Sequence, residues 1–509
     1  MTMIVLSTLN ARYAHASLGL RYLRANLGEW REFSTIREFV IGQKTEEIVE
    51  KILEGNPRIL GLGVYIWNVE ESTRLVAQLK VVAPDLVIVL GGPEVSFEVD
   101  EQRICGLADY VITGWGDVSF ANLVRQLMAG EAPSAKVIAG VQAPLPAIAS
   151  PYDEYTDEDV ARRHLYVEAS RGCPFKCEFC LSALDKTAWP FPLDAFLADL
   201  ESMYVRGARQ FKFVDRTFNL KVDTSLAILE FFLGKIETAP EDPPFVHFEL
   251  IPDHLPERLK EAIQRFPIGT MQFEIGIQTF DPVVQTRVSR RQKNEVAAAN
   301  IAWLREHSHA HLHVDLIAGL PGEDMQGFAE GFNRLVELAP HEIQFGILKR
   351  LRGAPISRHT QEFGLCFNPD PPYNILATAA IDFATMQRLS RFSRYWDIVA
   401  NSGRYPRTLI LLLDRDPFGN FLGFSDWLYA KTGQTHALAQ ERLVHLLHEF
   451  LCGERACAAE AVADALIADY RGTGGRSRLR FETGASTRVP PRRKEAGATP
   501  SRQARHLQS

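Results

Sequence analysis

Three cysteines, Cys173, Cys177 and Cys180, stand within eight residues, in the run Arg171-Gly-Cys-Pro-Phe-Lys-Cys-Glu-Phe-Cys180. Seven cysteines spread over 509 residues do not make a disulfide framework, so this clustering calls for a chemical reason. Thiolates spaced C-x3-C-x2-C are soft ligands suited to three irons of a cubane, and the fourth iron is left open to another ligand. An open coordination position is what makes a metal centre reactive. A zinc site is the competing reading; it needs a fourth Cys or His, and His164 could serve. Three structural core cysteines are the blander alternative, although residues so close to Gly172 and Pro174 do not pattern as core.

A strand must deliver these thiols, and Leu165 to Ala169 reads as one. It opens a series continued by Gln210–Val214, Phe245–Leu250, Met271–Ile277, His311–Ile317 and Glu342–Ile347, with helical segments between. Six βα units over residues 160–350 predict a partial (β/α)6 barrel with its site at the C-terminal strand ends. Those ends carry Asp215, Glu249, Gln278 and Asp315, and Arg290 follows Gln278 by twelve residues. Singly, Asp215 reads equally as a helix cap, Glu249 as a surface acid and Arg290 as a solvated helix charge.

Residues 1–131 alternate short apolar strands with amphipathic helices, which predicts a doubly wound α/β domain with a parallel sheet covered on both faces. Strands are expected at Met3–Leu6, Thr35–Ile41, Arg58–Trp67, Leu86–Leu90 and Tyr110–Ile112. Small residues follow the last two: Gly91 and Gly92, then Gly114 and Gly116. Residues 132–159, rich in Pro and Ala, read as a linker, and 351–470 as a mainly helical region. Residues 471–509 hold ten Lys or Arg against two Glu and read as a basic disordered tail, which leaves 46 basic against 61 acidic residues upstream. An acidic body does not suit a dedicated nucleic-acid binder. No run reaches the roughly 20 apolar residues of a bilayer-spanning helix, and Met1–Ser7 lacks signal-peptide character, so a cytoplasmic protein without membrane partners is expected.

The cysteine spacing, with Phe179 just before the last cysteine, resembles the signature of the radical S-adenosylmethionine (SAM) superfamily. The resemblance implies a 4Fe-4S cluster on Cys173, Cys177 and Cys180 whose open iron chelates SAM. The strand-end series looks like the branch containing oxygen-independent coproporphyrinogen dehydrogenase and the tRNA methylthiotransferases. It implies SAM binding by Phe179, Asp215, Glu249, Gln278, Arg290 and Asp315, with Asp215 receiving the methionine ammonium. The doubly wound domain in front resembles the cobalamin-binding subgroup, which implies a cobalamin approached by Gly91, Gly92, Gly114 and Gly116. The Asp-x-His-x-x-Gly cobalt-ligand pattern is not matched; His15 lies in the corresponding loop at a different spacing and is expected as a loop or substrate-facing residue. Leu348–Ile356, Asn368–Tyr373 and Tyr395–Arg404 resemble an uncharacterised C-terminal extension of such proteins, suited to a substrate-side cap, with Trp396 expected in packing.

The function this implies is radical cleavage of SAM and, with cobalamin, methylation of an unactivated carbon, fed by an electron donor such as flavodoxin or ferredoxin. The alternatives are a cobalamin-dependent rearrangement, oxidation or ring contraction, or a non-catalytic cobalamin or redox sensor. A cluster that only transfers or stores electrons would want its fourth ligand.

Overall fold

The computed structural model describes residues 2–482, 500 and 502–506. Six parallel strands, β1 (Ile4–Asn10), β2 (Ser34–Val40), β3 (Ile59–Gly63), β4 (Val87–Gly91), β5 (Tyr110–Thr113) and β6 (Val137–Ala139), form the first sheet in the order β2-β1-β3-β4-β5-β6. Five helices connect them: α1 (Leu18–Ala25), α2 (Thr45–Leu53), α3 (Val69–Val82), α4 (Arg103–Leu107) and α5 (Asp117–Met128). The period-2 pleat sorts the apolar residues. Val5 and Leu9 join Leu60, Leu62 and the α2 and α3 side chains Ile48, Ile52, Leu75 and Leu79 on one face. Ile4 and Leu6 join Ile59, Val89, Ile112 and the α1 and α5 side chains Leu20, Phe120 and Val124 on the other. Each buried aliphatic side chain contributes about 1.5–3 kcal/mol.

β6 corrects the reading of 132–159 as a linker. Val137–Ala139 pairs in parallel with Val111–Thr113 as a sixth strand, and α6 (Asp157–Arg162) begins before the expected barrel boundary, capped reciprocally by Thr156 and Asp159. A three-residue edge strand with exposed residues gives too little alternation to be read among prolines. Strand β3 also stops earlier than expected, because Asn68 Oδ1 accepts from the Tyr65 backbone N–H (2.8 Å) and turns the chain.

A buried charge network fixes α1 against β2 and α6. Arg21, 2% exposed, reaches Glu38 (3.0 Å) and Asp159 (2.7 Å), and Arg163 reaches the same two carboxylates at 2.6 and 3.0 Å. With so little water available, removing one member strands the others and costs about 3–5 kcal/mol.

The chain divides into two compact units. The first comprises Met1–Arg216, Lys349–Ser357 and Asn368–Asn374; the second comprises Thr217–Leu348, Arg358–Phe367 and Ile375–Ser509. Six further parallel strands appear where the second series was expected. In the first unit β7 (Leu165–Val167) pairs with Gln210–Phe213. In the second, Phe245–Leu250, Met271–Gln278, His311–Ala318 and Glu342–Ile347 pair in that order. Met271–Gln278 alternates strictly, with Phe273, Ile275 and Ile277 fully buried and Gln272, Glu274, Gly276 and Gln278 on the opposite face.

Helices Phe383–Val399, Pro406–Leu413, Pro417–Thr432, Gln440–Glu449 and Ala459–Gly472 complete the second unit. Trp396 is a packing residue there: its ring lies edge-on to Phe332 (4.8 Å) and Phe421 (4.9 Å). Asn401 closes the edge strand by exchanging two 2.9 Å hydrogen bonds with the Ile343 backbone. Of the tail expected at 471–509, residues 483–499, 501 and 507–509 lie outside the described ones. Within the described part Arg471 pairs with Glu482 (2.8 Å), Leu479 is buried, and Arg502 reaches Glu342 (2.9 Å) and Asp397 (2.7 Å). Among the described residues, no helix is long and apolar enough to cross a membrane.

Candidate functional site

The cysteine loop leaves β7 through Glu168-Ala-Ser-Arg-Gly172, and Asp215, at the end of the neighbouring strand, shapes that exit. Its carboxylate accepts the Ala169 N–H (2.9 Å) and the Ser170 hydroxyl (2.5 Å). Burial pushes the Asp215 carboxyl up to about 7, against the pull of those two donors. Both oxygens therefore serve the turn that leads to the cysteines. Gly172 has φ +88°, and a Cβ there would meet Thr187 Oγ1 at 2.5 Å and the Ala188 nitrogen at 2.9 Å. The close approach that demands glycine is to this crossing segment. Cys173 N donates to Asp185 O (2.7 Å) and Cys180 N to Cys177 O (3.1 Å), so the loop folds back on itself. Burial pushes the Cys173 thiol up to about 11, so metal must displace its proton to bind. Phe179 is half-buried beside Cys180. Among the described residues no group of three or more His, Cys, Asp or Glu is set to hold a single metal ion, and His164 packs at 5.8 Å against His15.

The first sheet contains a cavity of about 330 Å³ on its α1/α5 face. Its origin is a missing row of side chains. On the face where β3 places Ile59 it continues with Gly61 and Gly63; β4 follows Val89 with Gly91, and β5 follows Ile112 with Gly114. Gly63, Gly91 and Gly114 each forgo about 1.5–3 kcal/mol that a buried side chain would contribute, whereas a Cβ on Gly61 would meet Leu6 Cδ2 at 2.8 Å and Phe120 Cζ at 2.9 Å, so that glycine is taken up by packing. Gly91, Gly92, Gly114 and Gly116 all line the cavity, for different reasons. A Cβ on Gly91 would meet only the Ile112 carbonyl, at 3.9 Å, so this glycine leaves room. Gly92 has φ +109° and a Cβ there would lie 2.5 Å from the Val64 carbonyl, so this one serves the backbone. His15 does not line the cavity; its Nδ1 is 2.7 Å from the Tyr166 hydroxyl, as a loop histidine.

In the second unit, Glu249, Gln278 and Asp315 project from the polar face of three adjacent strands. Glu249 stands in register with Glu274, and Asp315 with Gly276. Gln278 ends its strand at φ +70° and folds back over Gly276; a Cβ on Gly276 would collide with its Nε2 at 2.4 Å. Arg290 reaches the same spot, donating to the Gly276 carbonyl and to Gln292 Oε1 (2.8 Å). Gln278 Oε1 is buried without a hydrogen-bond partner. An orphaned buried acceptor beside a guanidinium is what an amino-acid ligand, with one ammonium and one carboxylate, would complete. The second unit thus brings Gln278, Arg290 and Asp315 to one patch, whereas Asp215 and the cysteines belong to the first.

Several residues carry no motif in the sequence. Gly61 and Gly63 also line the cavity, Gly61 because Leu6 and Phe120 pack against it, and their signal, small residues two apart inside a strand, is weak alone. Arg352, in a segment far along the chain, pairs with Glu94 (3.1 Å) and Glu98 (2.6 Å), and the Tyr373 hydroxyl donates to Glu94 (2.7 Å). Ile356 N donates to the Glu178 carbonyl inside the cysteine loop (3.0 Å). These segments clip onto the first unit, and nothing local in their sequence says so.

Comparison with known proteins bears on the same regions. The B12 binding domain family matches residues 4–124, the radical SAM superfamily residues 167–335, and a family of unknown function, DUF4080, residues 361–481. An uncharacterized methyltransferase of Pyrococcus horikoshii is 27% identical over 239 residues, 42% of this chain and 52% of that protein. The cobalamin-dependent radical SAM methyltransferase TokK of Streptomyces tokunonensis is 24% identical over 375 residues, 64% of this chain and 52% of that protein. The chain thus spans about half the length of these curated relatives. The structure of the cobalamin-dependent SAM radical enzyme OxsB superposes over 92% of this chain and 80% of its own, with TM-score 0.61 and 13% identity, a likeness of fold.

Proposed function

In a chain that is a radical SAM protein with an N-terminal B12 binding domain and a C-terminal DUF4080 region, we propose that the glycine-lined cavity and the three-cysteine loop serve one reaction, the methylation of an unactivated carbon. One observation carries this reading: Arg171, two residues before Cys173, lines the cavity, so the cofactor space and the cluster loop belong to one piece of structure. Cys173, Cys177 and Cys180 would hold a 4Fe-4S cluster, and Gly63 and Gly91 would give the nucleotide tail of cobalamin its depth. When bound, the cluster supplies the electron that splits SAM into methionine and a 5'-deoxyadenosyl radical, and cobalamin carries the methyl group.

The protein's own part is to place and to shield. Arg290 offers a planar fork for the SAM carboxylate, Gln278 Oε1 accepts from its ammonium, and Glu249 and Asp315 offer carboxylates to its hydroxyl and amino donors. The buried Cys173 thiol keeps its proton until metal displaces it. A flavodoxin- or ferredoxin-type donor provides the electron.

Anaerobic reconstitution tests the proposal. The protein should retain about four irons, as a cubane requires, and cobalamin after desalting. With SAM and a low-potential reductant it should release 5'-deoxyadenosine and S-adenosylhomocysteine, the second product only when cobalamin is loaded. An iron-loaded protein that cleaves no SAM under any reductant would overturn it in favour of a binding protein.

A further inference from the structure

Arg171 is 15% exposed, and four side chains hold it in place. It forks onto Asp117, with Nη1 2.8 Å from Oδ2 and Nη2 3.1 Å from Oδ1, while Nε reaches Glu168 Oε1 at 2.8 Å. Its guanidinium also covers the rings of Tyr22 (4.5 Å) and Trp115 (5.0 Å). Tyr22, Trp115 and Asp117 all line the cavity, on α1, on the turn after β5 and at the first residue of α5. A parallel route runs from the same wall: Trp115 Nε1 donates to Asp185 Oδ2 (3.2 Å), and the Asp185 carbonyl accepts the Cys173 N–H (2.7 Å).

A planar fork held by carboxylates at its edge and by rings over its faces has one orientation. A ligand that fills the cavity presses on Trp115 and Asp117, and neither can shift without moving Arg171 or Asp185. Both are tied to Cys173, the first through two peptide units and the second through a hydrogen bond. We infer that Arg171 is a positioning residue that transmits occupancy of the cavity to the cluster loop, so that corrinoid binding changes the electronic environment of the irons. The inference rests on the reading above, in which the cavity takes cobalamin and the cysteines take the cluster.

The experiment is Mössbauer spectroscopy of the full-length protein reconstituted with 57Fe, in the oxidised state, with and without saturating hydroxocobalamin, which contributes no signal of its own. In the wild type the quadrupole splitting of the cluster should shift on adding hydroxocobalamin. In Arg171→Met and Asp117→Asn the shift should be lost in the protein that retains both cofactors. Arg171→Lys, which keeps the charge but not the fork, should lose most of it. An unchanged wild-type spectrum in protein that retains both cofactors overturns the inference and leaves the proposed function standing. A wild type that retains no cobalamin or no iron overturns the proposed function itself. If Arg171→Met fails to hold iron, Asp117→Asn decides, because its substitution lies on α5, outside the cysteine loop. A full shift in that variant overturns the inference.

Discussion

On the α1/α5 face of the first sheet, β3, β4 and β5 run out in Gly61, Gly63, Gly91 and Gly114. In the second unit the corresponding halves of three parallel strands carry Glu249, Gln278 and Asp315. Both sets are parallel strands backed by helices, and in such sheets the carboxyl ends are where ligands bind. The first set omits side chains and at Gly63, Gly91 and Gly114 so creates volume; the second retains them and so creates hydrogen-bonding groups. A large cofactor tail needs depth, which only missing atoms provide. A small zwitterion needs directional partners, which only side chains provide. Glycine appears in the second set too, at Gly276, but there it makes room for the Gln278 amide and the Arg290 guanidinium.

The comparison can be broken most severely at the thiols of the first unit. Cys173→Ala, Cys177→Ala or Cys180→Ala should remove the cluster and with it nearly all iron and the broad absorbance near about 400 nm. Exposed Cys366→Ala should leave both unchanged. Iron analysis after anaerobic reconstitution reads the result; half-loss of iron in Cys366→Ala would refute the single-cluster assignment.

Next in size is a test of volume. Gly91→Leu should lower cobalamin affinity at least about tenfold, because the added side chain enters open cavity, and should leave iron content alone. Gly92→Val should instead fail as a fold, since its Cβ meets the Val64 carbonyl at 2.5 Å in a left-handed backbone. Equal cobalamin retention by wild type and Gly91→Leu would show that the cavity is not the corrinoid site.

The second unit provides a pH test. Glu323 is 2% exposed, and burial pushes its carboxyl up to about 8, with the Thr279 hydroxyl donating to it. A carboxyl raised in the folded state favours the protonated form. Its contribution is complete below the ordinary 4.5 and is lost as pH rises through about 8. Glu323→Gln should therefore gain stability relative to the wild type between pH 5.5 and 9, by up to about 4 kcal/mol. Urea midpoints of the two proteins across that range measure it; parallel curves would contradict a protonated Glu323.

A last test concerns a single directional contact. Arg290→Ala should weaken SAM binding by about ten- to a hundredfold, or about 1.5–3 kcal/mol, with iron content intact. Equilibrium binding to the reconstituted protein reads it, and unchanged affinity would remove Arg290 from the SAM site.

The sequence by itself determined the cysteine loop, because the spacing of three thiols within eight residues is covalent and needs no fold to be seen. It also determined most of the strands of both units, because continuous or alternating apolar runs bury in few ways. The strand-end residues followed from those strands, since the end of an element is a local property. The tertiary structure alone decided what depends on packing between distant segments. It placed Gly61 and Gly63 on the same face as Gly91, a matter of register between strands. It recruited Val137–Ala139 as an edge strand, which Pro-rich composition concealed. It brought Arg352 and Tyr373 back onto Glu94, across 258 and 279 residues, and hydrogen-bonded Ile356 to the cysteine loop. Charges separated so far along a chain leave no periodic trace, because the energy that joins them arises only once both are withdrawn from water into the same place.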